Sequence, residues 1–571
     1  MKLINKFLAG ALLAGSLVSC DITNLDLQEN PNAPGPERAS IDDLFNSLQF
    51  GANSMVTGTW GFGGGMTRMV NLGGSYDYIN AVGPTTFNGV WNTAYASIFP
   101  DVDAVVAIAD EAGLEFHKSA ANIIKAQTML QLVDLFGDVP YSEAGQGVGV
   151  ISPAADDAAS IYAEAITLLT DAVETLKTTT ASAPALDMYY DGDADGWIAY
   201  ANSLKLRAYL NTGDGAAIDN LIATEDIIDA GAESFMFSYG SNRANPDSRH
   251  PEYRNHYETG DGVYLGNYFM WKLRADKVDD AGNPVVDPRI RYYFYRKVSN
   301  SLAQDANVYS CHFSTRPDDP IGRPAHYDQV DPRLPYCVAF EDGYFGRDHL
   351  NAEGIPPDGP IRTSYGLYPA GGQFDDNSYS DTRQEGTTGG LGEGITPIMM
   401  DFFVDFMRAE AALTLGTSDD ARALLESGIR GSIARVQSFG SLVTSDLNRE
   451  VELIDGSKAT VAELFVPTSD DVDEYVDFVL ATYDAADADG KLDVVATEYY
   501  ISLWGNGIEA YNMYRRTGKP GNMAPSLEPA SGNFPVSFWL PTNHVERNAN
   551  ATQKANMDGR VFWNANGPEL R

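Results

Sequence analysis

The sequence predicts a mainly α protein, with helical pairs in both outer thirds and an irregular, aromatic-rich insert between them. Three observations carry this. Apolar residues recur at helical spacing on either side of the middle. Turn-forming residues bound most of those segments. The stretch 233–395 lacks the period and is rich instead in Gly, Pro, Asp and Tyr. Its many aromatics argue against disorder.

From the start of the chain, Lys2 and Lys6 precede an apolar run from Phe7 to Val18, which ends in Leu17-Val18-Ser19-Cys20. A basic start, a short apolar core and small residues before a cut site predict a secretory signal over 1–19. A cysteine at the cut resembles a bacterial lipobox, which implies lipidation of Cys20 (palmitate is one such acyl group). Residues 20–40 carry Asn30-Pro31-Asn32-Ala33-Pro34-Gly35-Pro36 and read as an extended tether. No later apolar run reaches the ~20 residues needed to cross a bilayer. The expectation is therefore a chain anchored to a membrane rather than spanning it.

The first helix is expected from Ser40, whose hydroxyl can cap the amides ahead of Ile41–Phe50. Ile123, Ala126, Leu130, Val133 and Phe136 then share one helix face, as do Ile161, Ala165, Leu168, Ala172 and Leu176. The same spacing links Phe402, Phe406, Ala409 and Leu413, and again Tyr500, Trp504, Ile508 and Tyr511. Shorter helices are predicted near 90–112, 196–211, 215–230, 418–436 and 470–484. Gly137, Pro140, Gly213, Gly416, Gly518 and Pro520 interrupt the pattern.

The 571 residues would suggest roughly three to four domains by length alone. With 39 basic and 79 acidic residues, the net charge is −40. Such a chain repels nucleic acid and anionic headgroups, whose binding is driven by cationic side chains. Beyond Cys20 only Cys311 and Cys337 remain. Export permits a disulfide, so they are either a bridge or two separate thiols, and spacing does not choose.

Particular stretches resemble the SusD/RagB family of surface lipoproteins. They are the run from Lys125 to Tyr141 (KAQTMLQLVDLFGDVPY), Trp197–Arg207 (WIAYANSLKLR), Asp287-Pro288-Arg289, Met407-Arg408-Ala409-Glu410-Ala411, Gly428-Ile429-Arg430, and Trp504–Tyr511 with Tyr514–Gly518. Asn30–Pro34 resembles the family's lead-in. The resemblance spans almost the whole mature chain and implies a right-handed superhelix of tetratricopeptide-like helical pairs with an irregular region packed on it. It implies one SusD-like domain over 41–571: a helical scaffold at 41–232 and 396–517, a ligand-side region at 233–395 and a C-terminal tail at 518–571. The matched motifs are expected to be structural, with Arg408 and Glu410 satisfying each other or backbone.

The family resemblance implies a role as well: a lipid-anchored outer-membrane protein, exposed at the cell surface, that captures nutrient, usually glycan, for a SusC-like TonB-dependent barrel. It implies binding rather than catalysis, with no cofactor required and no nucleic acid partner. Sugar rings stack their C–H faces on aromatic rings, while polar side chains take the hydroxyls. Rings in irregular, Gly-rich segments are the better candidates, because loops carry binding sites on rigid scaffolds. Two segments qualify: Thr59–Gly65 with Tyr76-Asp77-Tyr78, and Arg249–Tyr257 continuing to Tyr264 and Tyr268. The candidate ligand contacts are therefore Trp60, Tyr76, Tyr78, Tyr257 and Tyr264.

Asp191, Asp193 and Asp195, followed by Gly196, resemble the first half of a calcium loop. Position twelve would be Asn202 rather than Glu, so a polar turn capping the next helix is the competing reading. No HExxH, no G-x-S-x-G elbow and no phosphate loop occurs. A glycoside hydrolase with an unrecognised carboxylate pair remains an alternative, as does a protein-binding helical-repeat scaffold.

Overall fold

The computed structural model describes residues 40–74, 76–259, 262–299, 324–336, 342–351, 362–380 and 386–571. The longer helices are α1 (Ile41–Met66), α2 (Phe99–Ala112), α3 (Glu115–Phe136), α4 (Ala158–Leu176), α5 (Ala194–Thr212), α6 (Gly215–Thr224), α7 (Asn267–Arg274), α8 (Asp401–Thr414), α9 (Ala421–Ser438), α10 (Ser469–Ala485), α11 (Ala488–Ser502) and α12 (Gly507–Thr517). Short strands are β1 (Phe235–Ser238), β2 (Phe294–Tyr295), β3 (Ser364–Tyr365), β4 (Ile395–Met399), β5 (Glu450–Glu452) and β6 (Lys458–Thr460). No described helix is long and apolar enough to cross a membrane. The expected signal peptide and tether, with Cys20, lie outside the described residues, as do Cys311 and Cys337.

Each helix of the outer thirds packs on its neighbour in sequence, α1 through α6 and again α8 through α12. The two stacks join where α1 meets α12 and where α5 meets α8. This is the mainly helical, paired architecture the periodicity predicts, except that the expected common face of Tyr500, Trp504, Ile508 and Tyr511 is split: α11 ends at Ser502 and α12 begins at Gly507, leaving Trp504 in the connection between them. α1 begins where Ser40 Oγ accepts from Asp43 N at 3.1 Å, and Asp42 and Asp43 sit in its first turn beside the unpaired amides. It buries Leu44, Phe45, Leu48, Ala52, Met55 and Val56 along one stripe.

α1 runs much further than the predicted Ile41–Phe50, and takes in the whole stretch Thr59–Gly65 that was expected to be irregular. The reason is a close crossing with α12. A Cβ on Gly63 would sit 2.1 Å from the carbonyl oxygen of Gly507, and one on Gly507 would sit 2.4 Å from Gly64 N. The glycines let two helix backbones touch. The predicted helix at 215–230 is shorter, stopping at Thr224. Beyond it, Asp226 O accepts from Asn202 Nδ2 at 2.7 Å and Ile228 N donates to Ser203 Oγ at 3.0 Å, so α5 recruits that backbone.

The insert leaves and rejoins the scaffold at one place. β1 pairs antiparallel with β4, with Phe235 opposite Met399 and Ser238 opposite Ile395. Between them the chain supplies core rather than a separate layer. Phe269, Phe294 and Tyr365 pack round Trp504 at centroid distances of 5.0, 5.8 and 4.8 Å, contacts of the kind that add to area burial.

Some of the buried charges are paired. Arg289 is fully buried, with Nη2 donating to Asp287 Oδ2 at 2.6 Å and Glu498 Oε2 at 2.9 Å, and Nη1 to Ser432 and Ser502. Such a group survives inside only when its charge and donors are matched. Arg408 and Glu410 do not pair with each other as expected. Arg408 binds Asp419 at 2.7 Å, while Glu410 holds Arg516 at 2.8 Å. One residue intervenes between them, which turns the two side chains about 200° apart on a helix and sends them to different partners.

Candidate functional site

The expected ligand aromatics divide into two groups. Trp60, Tyr78 and Tyr257 are interior side chains. Trp60 donates from Nε1 to Tyr365 Oη at 2.7 Å and meets Trp504 edge-on at 5.2 Å. Tyr257 is fully buried, stacked on Tyr253 at 4.8 Å, and donates to Tyr365 O at 2.6 Å. Tyr78 Oη lies 3.0 Å from His349 Nε2, and its ring meets Phe534 at 5.9 Å. Burial raises the Tyr78 hydroxyl above its usual range and holds His349 well below its own, assisted there by the Arg68 charge. None of these three offers a ring face to a sugar. Their neighbours in sequence suggested loops, but long-range packing claims the rings.

Tyr76 and Tyr264 remain at the surface, each half-buried. Their segments are tied together. Val70 bridges Leu265, and Asn71 N donates to Tyr264 O at 2.7 Å. Asn71 Nδ2 reaches on to Asn351 O at 3.2 Å, which draws in the 342–351 segment. Tyr76 lies further along the same loop at φ 69°. Tyr264 itself has two guanidinium groups over its ring, Arg347 at 4.0 Å and Arg362 at 4.8 Å from the centroid. Its hydroxyl is shielded from solvent and has no hydrogen-bond partner among the described residues. A buried phenol left unpaired costs about 1–3 kcal/mol. Exposed Val263 and Ile79 lie on the two tied segments. The surface thus presents the half-buried rings of Tyr264 and Tyr76 and the exposed Val263 and Ile79, while Arg347, Arg362 and the Tyr264 hydroxyl are buried.

Arg347 and Arg362 escaped the sequence reading. Each is remote from Tyr264 in the chain, and no local spacing links a lone arginine to a distant ring.

The proposed calcium loop resolves differently. Asp193 caps α5 by accepting from Asp195 N at 3.1 Å. Asp191 is exposed with φ 53°, and Asp195 is exposed in the first turn. The turn is organised by Asp187, which accepts from the amides of Tyr189, Tyr190 and Gly192 and from Trp197 Nε1 at 2.7 Å. Among the described residues no three His, Cys, Asp or Glu side chains group as a metal site requires. The turn is held by this capping, as the competing reading expects.

Near β1, His250 Nδ1 accepts from Glu252 N at 3.1 Å and caps a short helix, Pro251–Arg254. That bond needs the neutral ring, and burial holds His250 down at about 3. Burial pushes Glu252 the opposite way, up to about 6.

Comparison with known proteins bears on the whole chain. Residues 66–313 match a family model described as SusD-like, starch-binding and associating with the outer membrane. Residues 396–559 match one described as SusD and RagB outer membrane lipoprotein. No curated protein matches by sequence. Among solved structures, a SusD/RagB family protein from Bacteroides thetaiotaomicron superposes with a TM-score of 0.64 at 18% identity, covering 93% of this chain and 98% of its own. A SusD homologue from Bacteroides fragilis gives 0.62 at 15% identity, with 92% and 99% covered. A chitin-binding SusD homologue from Flavobacterium johnsoniae gives 0.58 at 17% identity, with 92% and 99% covered.

Proposed function

The chain belongs to the SusD/RagB family, and from that premise we propose that it is a cell-surface lipoprotein that binds nutrient glycan and passes it to a TonB-dependent outer-membrane barrel. The observation that carries the binding site is Tyr264: a half-buried ring under two guanidinium groups, with an unpartnered hydroxyl, beside the loop that bears Tyr76. In this reading a sugar ring lies against the exposed part of Tyr264 or Tyr76. The chitin-binding relative makes chito-oligosaccharide the first ligand to try. Lipid on Cys20 would hold the protein beside its barrel, and loss of membrane retention in Cys20→Ala tests that step.

Capture requires no cofactor and no bond cleavage. Incubation with a glycan panel, chito-oligosaccharides included, should give retention without products. Released shorter sugars would favour the glycoside hydrolase. Tyr264→Ala should abolish retention while the protein stays folded. Unchanged retention in both Tyr264→Ala and Tyr76→Ala would remove this surface from the function.

A further inference from the structure

We propose that the cavity between the C-terminal tail and the α3–α4 connection is a second binding site, for a small carboxylate-bearing ligand of sugar size. The tail folds back over the turn at Gly137-Asp138 and encloses a space of about 580 Å³, within the usual range for small-molecule sites. Its lining is cationic in a chain whose net charge is −40. Lys554 and Arg560 face it, and the single lining carboxylate, Asp138, already accepts from Ala158 N at 2.9 Å.

Lys554 is the built element. Its Nζ donates to Ser537 Oγ at 2.9 Å, and that hydroxyl donates onward to Gly559 O at 2.6 Å. The serine therefore fixes the amine in place by its lone pair. No carboxylate lies within ion-pair distance of Lys554 among the described residues, so an ammonium here has donors to spare and no counter-charge. Burial, reinforced by the Arg515 guanidinium and opposed by Asp138, holds this amine down at about 8. A bound anion would repay that desolvation. The remaining wall is divided as a sugar is: Leu540, Val561 and Phe562 are apolar, while Asn550 and Thr552 are polar. Since this site lies apart from Tyr264, it stands independently of the glycan reading.

Titration calorimetry with glucuronate and with glucose, a neutral match of similar size, tests the site. Glucuronate should bind at least tenfold tighter than glucose, and Lys554→Met should remove that advantage. Tyr264→Ala should leave it in place. In the unsubstituted protein, glucuronate but not glucose should protect Lys554 from amine-directed labelling read by mass spectrometry. Equal binding of the two sugars, labelling of Lys554 indifferent to glucuronate, or loss of glucuronate binding in Tyr264→Ala rather than Lys554→Met would each overturn the proposal.

Discussion

Trp60 and Tyr264 stand in stretches that read alike, each an aromatic among glycines, and they end in opposite situations. Trp60 lies inside α1, where Gly63 brings that helix onto α12 and the indole is pinned by Tyr365 and Trp504. Tyr264 lies where the chain flattens against Arg68, since a Cβ on Gly266 would sit 1.9 Å from the Arg68 carbonyl oxygen. Its backbone is pinned but its ring stays half open beneath two guanidinium groups. Each stretch thus holds one glycine, Gly63 or Gly266, at a close backbone approach. What differs is whether the approaching element also covers the ring.

That contrast can be broken most forcefully at Trp60. Trp60→Ala should cost about 3–5 kcal/mol by leaving a cavity in the core, read by denaturant unfolding, while glycan retention per folded molecule is unchanged. Retention lost at full stability would return Trp60 to the binding surface.

A pH series separates the His250 cap from the rest. His250 has a lower pKa folded, about 3, than its usual 6.5, so the unfolded chain binds the extra proton. The stability it contributes is present above about 6.5 and falls by about 1.4 kcal/mol per pH unit as pH drops toward 3. Glu252 acts in reverse, since its raised value of about 6 against 4.5 makes the folded state bind the extra proton. The two slopes oppose each other between about 6 and 4.5, and the loss resumes below that window. His250→Asn keeps a capping acceptor and should reduce the slope below pH 4.5 by about 1.4 kcal/mol per pH unit, leaving the share that His256 and His349 contribute, as measured by urea midpoints.

Gly63→Ala should cost about 1–3 kcal/mol, because backbone rather than a movable side chain occupies the space. Gly61, two residues earlier in α1, has open space around it, with nothing within 4 Å of where a methyl group would sit. There Gly61→Ala should instead stabilise by roughly 0.5–1 kcal/mol. Equal effects at the two sites would refute the close-crossing account of this segment. The smallest stability effect is expected at Tyr264→Phe, which removes an unpartnered hydroxyl and should be neutral or stabilising by about 1 kcal/mol. Its ring stays, so glycan affinity should fall less than in Tyr264→Ala.

Much of the scaffold was legible in local pattern. Ser40 caps α1 as its position suggests, and the stripes of α3, α4 and α8 face the core. The turn at 187–197 carried a readable signal that was missed. Asp187 stands two, three and five residues before the amides it accepts, the reach of an Asx turn, and this explains the segment better than an ion does. Which aromatics stay exposed was harder to see. Tyr264 was picked from its irregular setting, but so were Trp60, Tyr78 and Tyr257, and nothing local separates them.

Helical period, caps and breakers act between residues within a few positions of each other, so the amino-acid order marks where most helices lie and which face each buries, but not how far α1 runs or where α11 stops. Exposure is a different kind of property. Whether a ring is covered depends on partners such as Tyr365 for Trp60, His349 for Tyr78, and Arg347 and Arg362 for Tyr264, all distant in the chain. Those meetings exist only once α1 has crossed α12 and the insert has closed between β1 and β4. The folded arrangement therefore buried Trp60, Tyr78 and Tyr257 and left Tyr264 and Tyr76 half-exposed, and it assembled the Lys554 cavity from a tail and a turn that have no pattern in common.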